Sequence, residues 1–341
     1  MKLNRISKLT MVTLLLLLPA VFAFSAGQKE AGQLDVVVFV PGVSSGSPIY
    51  EMLVAGAKKA VAEVPNATLK VVEAGYNQAE WLDKLMAIAE TGEFELIVSS
   101  NPSLPELCAR VAQDYPEQKF FIADAYLAGN TSIHTVLYNQ KEQAYMVGYL
   151  AALYTQQTSG SNIIGLVAAQ SYPTLDRLII PGFEAGMQAV DPAFRLEYRE
   201  IGNWYDANKA AELTASILDL GAQVILPIAG GAGQGVLAAA GERGAKVVWF
   251  DGDGYKLAPE TVIGCAELDQ DRLVAERVKL LLTAPGSLYG QADIVSAKDG
   301  YIFFSKDGEG YRKLGESLRR SFESAVDNLA KGQPDFTLSS F

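Results

Sequence analysis

The sequence predicts an α/β protein made of two doubly wound, parallel-sheet lobes. Continuous apolar runs such as LDVVVFVPG (34–42) and AQVILPIAG (222–230) are typical of parallel strands that are buried on both faces. Amphipathic stretches separate these runs, and the alternation of strand and helix occurs twice along the chain. The 341 residues also exceed the usual size of one hydrophobic core, which favours two domains.

The elements follow one another in a regular order. In the first half, the predicted strands are 34–42, 68–74, 95–100, 119–125 and 133–139, and the predicted helices are 50–64, 79–91 and 103–115. A long helix from about 140 to 155 leads into the second half. There the extended runs are 162–169, 194–202, 222–230, 245–251, 261–268 and 300–305, and the predicted helices are 175–190, 206–220, 233–243, 270–283 and 310–331. No strand is predicted in the Gly- and Pro-rich stretch 284–293.

The first 25 residues have the order of a cleavable secretory signal peptide. A short basic stretch precedes the apolar run MVTLLLLLPAVFAF (11–24), and Ala23-Phe24-Ser25 matches the cleavage site. An uncleaved anchor is the alternative, but the run is shorter than the roughly 20 residues that span a bilayer. Because no cysteine precedes Cys108, a lipid anchor is not supported. We therefore expect an exported, periplasmic or otherwise extracytoplasmic protein.

Charge and composition exclude several classes of function. The formal charge is −11, and without residues 1–25 it becomes about −14, with 25 basic against 39 acidic residues. Such a chain repels nucleic acid. Only Cys108, Cys265 and His134 offer thiol or imidazole ligands, too few for a structural zinc site, so no metal is expected. The two cysteines are expected to be separate buried residues, and His134 a residue of a strand.

Ligands of open parallel sheets bind outside the carboxyl ends of the strands. The segments that follow the predicted strands are rich in Ser, Asn, Gly, Tyr, Trp and Asp, and they lack the cations of a phosphate or acyl-transfer site. In GNWYDANKAAEL (202–213), Trp204 and Tyr205 lie between a strand and a helix for which Asp206 is a plausible N-cap. This position points the Trp204 ring into a crevice rather than into a core. A ligand with a flat ring would stack there.

Two further motifs are similar to a cofactor site and a metal site but lack residues that define them. In AGGAGQGVL (229–237) the third glycine of a dinucleotide fingerprint is replaced by Val236, so the segment instead allows a ligand to approach the backbone closely. In VVWFDGDGY the ligands that a calcium loop needs are missing. Asp251 is then expected to accept hydrogen bonds from a ligand. An α/β hydrolase or phosphatase-like enzyme that uses Asp251 and Asp253 is the alternative from another class.

From about residue 34 onwards the chain resembles the basic membrane protein family of ABC-transporter substrate-binding proteins, a group similar to purine nucleoside receptors. The segments that carry this resemblance are YPEQKFFIADA, KEQAYMVGYLAALYT, PGFEAGMQAVDP, GNWYDANKAAELTASILDLGAQVI, AGGAGQGVL and VVWFDGDGY. The resemblance implies a type I periplasmic binding protein fold, in which three crossovers join the lobes around a ligand cleft. It places 34–137 and 267–298 in the N-terminal lobe, and 138–266 and 299–341 in the C-terminal lobe.

The chain departs from the family pattern at three places. Ile49 and Tyr50 replace a Phe-Asn pair, with Ser44–Ser47 in place of an acidic residue. The segment Cys265–Leu268 lacks the lysine that helps to hold nucleosides, and Trp204 replaces a stacking phenylalanine. The wider rings and the missing lysine imply a resemblance to the riboflavin-binding branch of the family, whose ligand would be a flavin. A purine nucleoside is the alternative ligand.

These considerations together predict a monomeric binding protein, not an enzyme, which delivers riboflavin or a related flavin to an ABC permease. Riboflavin would be cargo, and no cofactor is expected. Trp204 and Tyr50 would stack on the ring, while Asn101, Asp124 and Asp251 would bind polar groups. The full set of expected ligand-binding residues is Ser45, Tyr50, Asn101, Asp124, Tyr126, Gln170, Tyr172, Asn203, Trp204, Tyr205, Gly231, Gln234 and Asp251.

Overall fold

The architecture comes from a computed structural model that describes residues 32–284, 286 and 288–341, so the predicted signal peptide lies outside the described residues. The strands are β1 (Leu34–Val40), β2 (Ala67–Glu73), β3 (Leu96–Ser100), β4 (Lys119–Ala123), β5 (Ile133–Tyr138), β6 (Ile163–Ala168), β7 (Arg195–Glu200), β8 (Val224–Ile228), β9 (Lys246–Asp251), β10 (Val262–Leu268), β11 (Ala292–Val295) and β12 (Ile302–Ser305). The α-helices are α1 (Pro48–Glu63), α2 (Trp81–Glu90), α3 (Leu104–Asp114), α4 (Gln140–Thr158), α5 (Ile180–Val190), α6 (Ala207–Asp219), α7 (Gly233–Glu242), α8 (Gln270–Thr283), α9 (Glu309–Arg312) and α10 (Glu316–Ala330).

Two six-stranded sheets define an N-terminal and a C-terminal lobe. Their strand orders are β11-β5-β4-β3-β1-β2 and β12-β10-β9-β8-β6-β7, so each strand of one sheet has a counterpart in the other. Among the described strands, the pairing of β10 with β12 is antiparallel and every other pairing is parallel. The chain passes between the sheets before α4, before α8 and between β11 and β12. The predicted pair of doubly wound lobes is confirmed.

The apolar runs become the central strands for the expected reason. Every residue of β3, β5 and β8 is buried, as strands covered by helices on both faces require. The longest helix, α4, is buried on most of its circumference and packs closely against α5. A Cβ on Gly148 would lie 2.3 Å from the carbonyl oxygen of Phe183, so only glycine allows the two helices to approach this closely.

Three elements differ from the sequence prediction. The strand β11 falls at the end of the Gly- and Pro-rich stretch, where four residues at a sheet edge left no recognisable pattern. The predicted helix 310–331 is interrupted before Glu316, because Gly315 adopts an extended conformation, with ψ at 142°. The predicted helix 175–190 opens with a π-helical turn at Leu175–Ile179. Pro181 follows within the first turn of α5 and has no N–H to donate to the preceding turn.

The sulfur and imidazole side chains lie inside the lobes. Cys108 and Cys265 are both free and buried, as predicted. His134 lies in β5 without solvent exposure, its Nδ1 is 3.0 Å from the carbonyl oxygen of Gln291, and its ring stacks on Phe121. These residues therefore stabilise the core rather than serve a site.

Within the described range, no helix combines the length and the apolar character that crossing a bilayer requires.

Candidate functional site

Two aspartates occupy matching positions at the carboxyl ends of matching strands. Asp124 directly follows β4, and Asp251 ends β9, its counterpart in the other sheet. Both adopt a left-handed backbone conformation, with φ at 51° and 69°. Aspartate is one of the few residues besides glycine that enters this region readily. The half-turn that each aspartate makes ends its strand and brings one carboxyl group from each lobe to the boundary between the lobes.

The two carboxyl groups interact electrostatically. Burial, and secondly the charge of Asp251, raise the pKa of Asp124 well above its usual range. Burial raises the pKa of Asp251 to about 6, although a hydrogen bond from Gln143 favours its ionised form. Both residues nevertheless keep part of their surface accessible, as groups that line an internal cleft do. Electrostatic repulsion between the two carboxyl groups, together with their burial, therefore opposes the ionisation of both groups at the same time.

Hydrogen bonding leaves acceptors available in this cleft. Gln143, in the first turn of α4, donates from Nε2 to Asp251 Oδ1 at 3.1 Å and to the carbonyl oxygen of Ala266 at 2.9 Å. Within the part of the chain that the structure describes, Asp124 Oδ1 and Gln143 Oε1 are buried without a hydrogen-bond partner. Buried acceptors without a partner are costly. They are suited to a guest that donates N–H or O–H groups.

Tyr50 and Asn101 form the wall of the N-terminal lobe. The hydroxyl group of Tyr50 donates to the carbonyl oxygen of Pro41 and accepts from Asn101 Nδ2, both at 3.2 Å. Burial raises the pKa of Tyr50 to about 12, and the nearby charge of Asp124 raises it as well. The phenol therefore stays neutral, and its hydrogen bonds fix the ring beside Asp124.

Trp204 and Tyr172 form the wall of the C-terminal lobe. Their ring centroids are 5.8 Å apart with the planes tilted by 51°. The Trp204 ring covers Gly230, where a Cβ would lie 3.2 Å from Trp204 Cε3 and where φ is 53°. Glycine is thus needed there both for the backbone conformation and for the close approach of the ring. Asn203 shapes the same turn, since its Oδ1 accepts from the backbone N–H groups of Tyr205 and Asp206.

The predicted stacking of Tyr50 and Trp204 on the two sides of a guest stays a prediction. In the described chain the ring partner of Trp204 is Tyr172, whereas Tyr50 lies over Gly42, whose Cβ position is 3.1 Å from Tyr50 Cε2. Burial, and then the charges of Asp124 and Asp251, raise the pKa of Tyr172. Tyr172 therefore lies near the carboxyl groups of both lobes.

The other predicted residues lie in loops at the same ends of the strands. Tyr126 follows Asp124 by two residues, and Gln170 follows β6; both are half-buried. Ser45 is exposed in the turn between β1 and α1, and Tyr205 is 67% exposed beside Trp204. Gly231 lies in the 3₁₀ turn that precedes α7 and Gln234 in the first turn of α7, and both are exposed.

Asp253 has a different role from Asp251. Its side chain accepts from the N–H of Tyr255, which begins a short 3₁₀ turn, and pairs with Lys256 at 3.0 Å. Its carboxylate also lies within 4.8 Å of ligand atoms of Cys265 and Glu267. Burial raises the pKa of the Cys265 thiol, so this sulfur stays protonated and is a poor metal ligand. Asp253 therefore stabilises its own loop.

Sequence reasoning missed Gln143, Gln270 and Tyr76. Gln270, the first residue of α8, donates from Nε2 to the carbonyl oxygen of Ile49 at 2.6 Å and accepts from Ser100 Oγ at 3.2 Å. The sequence did contain an indication of the two glutamines, because each lies in the first turn of a helix that follows a buried strand. Tyr76, which is 59% exposed after β2, carried no such signal.

The geometry defines a class of protein, namely a two-lobed binding protein with a polar and aromatic cleft. No lysine or arginine of the described chain is among the groups that shift the pKa of Tyr50, Asp124, Tyr172 or Asp251. Aromatic walls and carboxyl acceptors without cations suit a neutral guest with a ring and several hydrogen-bond donors.

Comparison with known proteins agrees with this class. The family described as ABC transporter substrate-binding protein PnrA-like matches residues 33–324. The chain belongs to this family. A solute-binding protein of an ABC transporter system from Aeropyrum pernix superposes with a TM-score of 0.77 at 21% identity, over 89% of this chain and 93% of that one. A second such protein, from Conexibacter woesei, superposes with a TM-score of 0.63 at 18% identity, over 89% and 98%. These structures confirm the type I periplasmic binding protein fold.

Several curated relatives share about a quarter of their aligned residues with this chain. A purine-binding protein of Brucella abortus is 26% identical over 75% of this chain and 72% of its own length. A nucleoside-binding protein of an ABC transporter from Lactococcus lactis is 26% identical over 45% of this chain and 42% of its own length. A CD4+ T-cell-stimulating antigen of Listeria monocytogenes is 27% identical over 45% of this chain. The chain spans 41% of the length of this Listeria relative, less than half.

Proposed function

We propose that this protein binds a neutral purine nucleoside between its lobes, outside the cytoplasm, and delivers it to an ABC permease. The observation that carries the proposal is the pairing of unsatisfied carboxyl and amide acceptors with aromatic walls. A purine offers a flat ring for Tyr50, Tyr172 and Trp204, and its ribose and base offer O–H and N–H donors. Among the described residues no cation shifts the pKa of Asp124 or Asp251, which argues against a phosphorylated ligand.

The nucleoside is favoured over the riboflavin expected from the sequence. Two of the relatives are named for binding purines or nucleosides, and one of them aligns over three quarters of this chain. The expectation of a flavin rested on a lost lysine and on wider rings. In the structure, Trp204 is paired with Tyr172 and Tyr50 is fixed by two hydrogen bonds.

Calorimetric titration of the refolded, ligand-free protein tests the proposal. Adenosine, inosine and guanosine are compared with AMP and with riboflavin. We expect at least one nucleoside to bind, and AMP to bind at least about tenfold more weakly because its phosphate meets two acidic groups without a counter-charge. Riboflavin binding with quenched flavin fluorescence, in the absence of nucleoside binding, would support the flavin instead.

A substitution locates the binding in the cleft. Trp204→Ala removes the ring that faces Tyr172 and should weaken nucleoside binding by at least about 1 kcal/mol, roughly fivefold. Leu220→Ala is the control, since it removes an apolar side chain that is 50% exposed at the C-terminal end of α6, just before the amino end of β8. An unchanged affinity in Trp204→Ala would exclude Trp204 from the site.

A further inference from the structure

Two exposed tyrosines meet across the boundary between the lobes. Tyr76 belongs to the loop after β2 in the N-terminal lobe, and Tyr205 to the loop after β7, the counterpart of β2 in the C-terminal lobe. Their ring centroids are 6.4 Å apart with the planes tilted by 47°. This distance and tilt fall within the range of attractive aromatic pairs.

The contact between these rings depends on the relative position of the lobes. Tyr76 is 59% exposed and Tyr205 is 67% exposed, so neither ring is held in place by a core. The lobes also touch at Gly252, where a Cβ would lie only 2.8 Å from Pro48 Cβ. Both contacts join loops of opposite lobes, and a hinge opening that separates the lobes would break them together.

The tyrosine pair is continuous with the walls of the cleft. On the N-terminal side, the Cβ position of Gly42 lies 3.6 Å from Tyr76 Cε1 and 3.1 Å from Tyr50 Cε2, so both rings cover the same glycine. On the C-terminal side, Tyr205 is the neighbour of Trp204 in the chain. The pair thus extends the aromatic lining outwards from the site to solvent.

We infer that Tyr76 and Tyr205 form a latch that holds the lobes closed over a bound ligand and slows its release; this inference rests on the proposed function. A ligand that enters the open cleft does not meet the latch, because the rings of Tyr76 and Tyr205 are apart while the lobes are open. Once the lobes have closed, the ligand leaves only after the ring contact has been broken. The latch therefore contributes to the dissociation rate and hardly to the association rate.

Stopped-flow kinetics with adenosine, followed by tryptophan fluorescence, test the latch. We expect Tyr76→Ala and Tyr205→Ala each to dissociate about 2- to 12-fold faster, with association rates near those of the wild type. The double variant should dissociate no faster than either single variant, because both remove the same contact. Tyr76→Phe, which keeps the ring, and the surface control Leu220→Ala should behave like the wild type. Additive effects of the two alanine substitutions would overturn the latch and assign each ring a separate contact with the ligand.

A distance measurement separates failure of the latch from failure of the proposed function. Spin labels are attached to Glu90→Cys on α2 and Glu242→Cys on α7, both exposed positions on opposite lobes, while the native Cys108 and Cys265 are buried. Even if no nucleoside binds, Tyr205→Ala should reduce the fraction of ligand-free molecules that show the shorter distance between the two labels. An unchanged distance distribution in this variant would refute the latch whatever the ligand is.

Discussion

The contact between Gly252 and Pro48 makes Gly252→Ala a direct test of lobe closure. A Cβ at this position would lie 2.8 Å from Pro48 Cβ and 3.4 Å from Pro48 Cγ. Two non-bonded carbon atoms prefer a separation of about 3.5–4.0 Å, so the lobes would have to part by roughly 1 Å. The ring of Pro48 is rigid and begins α1, and it has no other rotamer that avoids the new methyl group.

The magnitude follows from the cost of overpacking. Inserting one methyl group into a tight contact typically costs about 1–3 kcal/mol, which corresponds to a roughly 5- to 150-fold loss of nucleoside affinity if only the closed state is affected. The Gly252 backbone lies outside the left-handed region, so alanine itself fits the local conformation. The free energy of unfolding of the ligand-free protein should therefore change little, because opening the lobes relieves the clash.

Calorimetry gives the affinity, and urea unfolding gives the stability. Gly315→Ala is the matched control, because a Cβ there meets no atom within 4 Å. Pro48→Gly removes the opposing carbon atoms and should restore part of the affinity lost in Gly252→Ala. Wild-type affinity in Gly252→Ala, with an unchanged distance between the lobes, would refute the reasoning that this contact belongs to the ligand-bound state.

Two further predictions concern titratable groups. Asp251 has a pKa raised to about 6 by burial, so its ionisation opposes folding, and the free energy of unfolding should fall as the pH rises from about 4 to about 6. Asp251→Asn keeps the acceptor for Gln143 and should be more stable than the wild type by about 1–3 kcal/mol at pH 7.5. The difference in stability should vanish near pH 4. Urea unfolding at both pH values measures these stabilities, and equal stabilities at pH 7.5 would contradict the prediction. Burial raises the pKa of both Cys108 and Cys265, so a thiol reagent should label neither in the native protein and both after denaturation. Rapid labelling of either thiol in the native state would show that its surroundings open.

Much of the fold could be predicted from the sequence because it is encoded locally. Apolar runs predicted the central strands, and the amphipathic pattern predicted α8 at the bounds that the structure has, 270–283. The rule that ligands bind at the carboxyl ends of strands placed Asp124 and Asp251 in the site. Asp206 was predicted as an N-cap, and its side chain accepts from the N–H of Lys209.

The rest depended on residues that are distant in the chain. Nothing in the sequence around Tyr76 indicates Tyr205 as its partner, since the two are joined only when two sheets face each other. The ring contact between Trp204 and Tyr172 could not be predicted for the same reason. Gln143 reaches Asp251 because the chain enters the C-terminal lobe just before α4, which packs against β9 and β10.

Periodicity and composition alone thus predicted two α/β lobes and the strand ends at which a ligand is expected, because burial constrains the pattern of neighbouring residues. The resemblance of six longer segments indicated the family. Only the tertiary structure decided which rings touch, how strongly the two aspartates oppose each other's charge and where the lobes meet. These properties are set by distances of a few ångströms between loops that belong to different lobes. Local sequence cannot encode such distances, because they depend on the hinge that brings the lobes together.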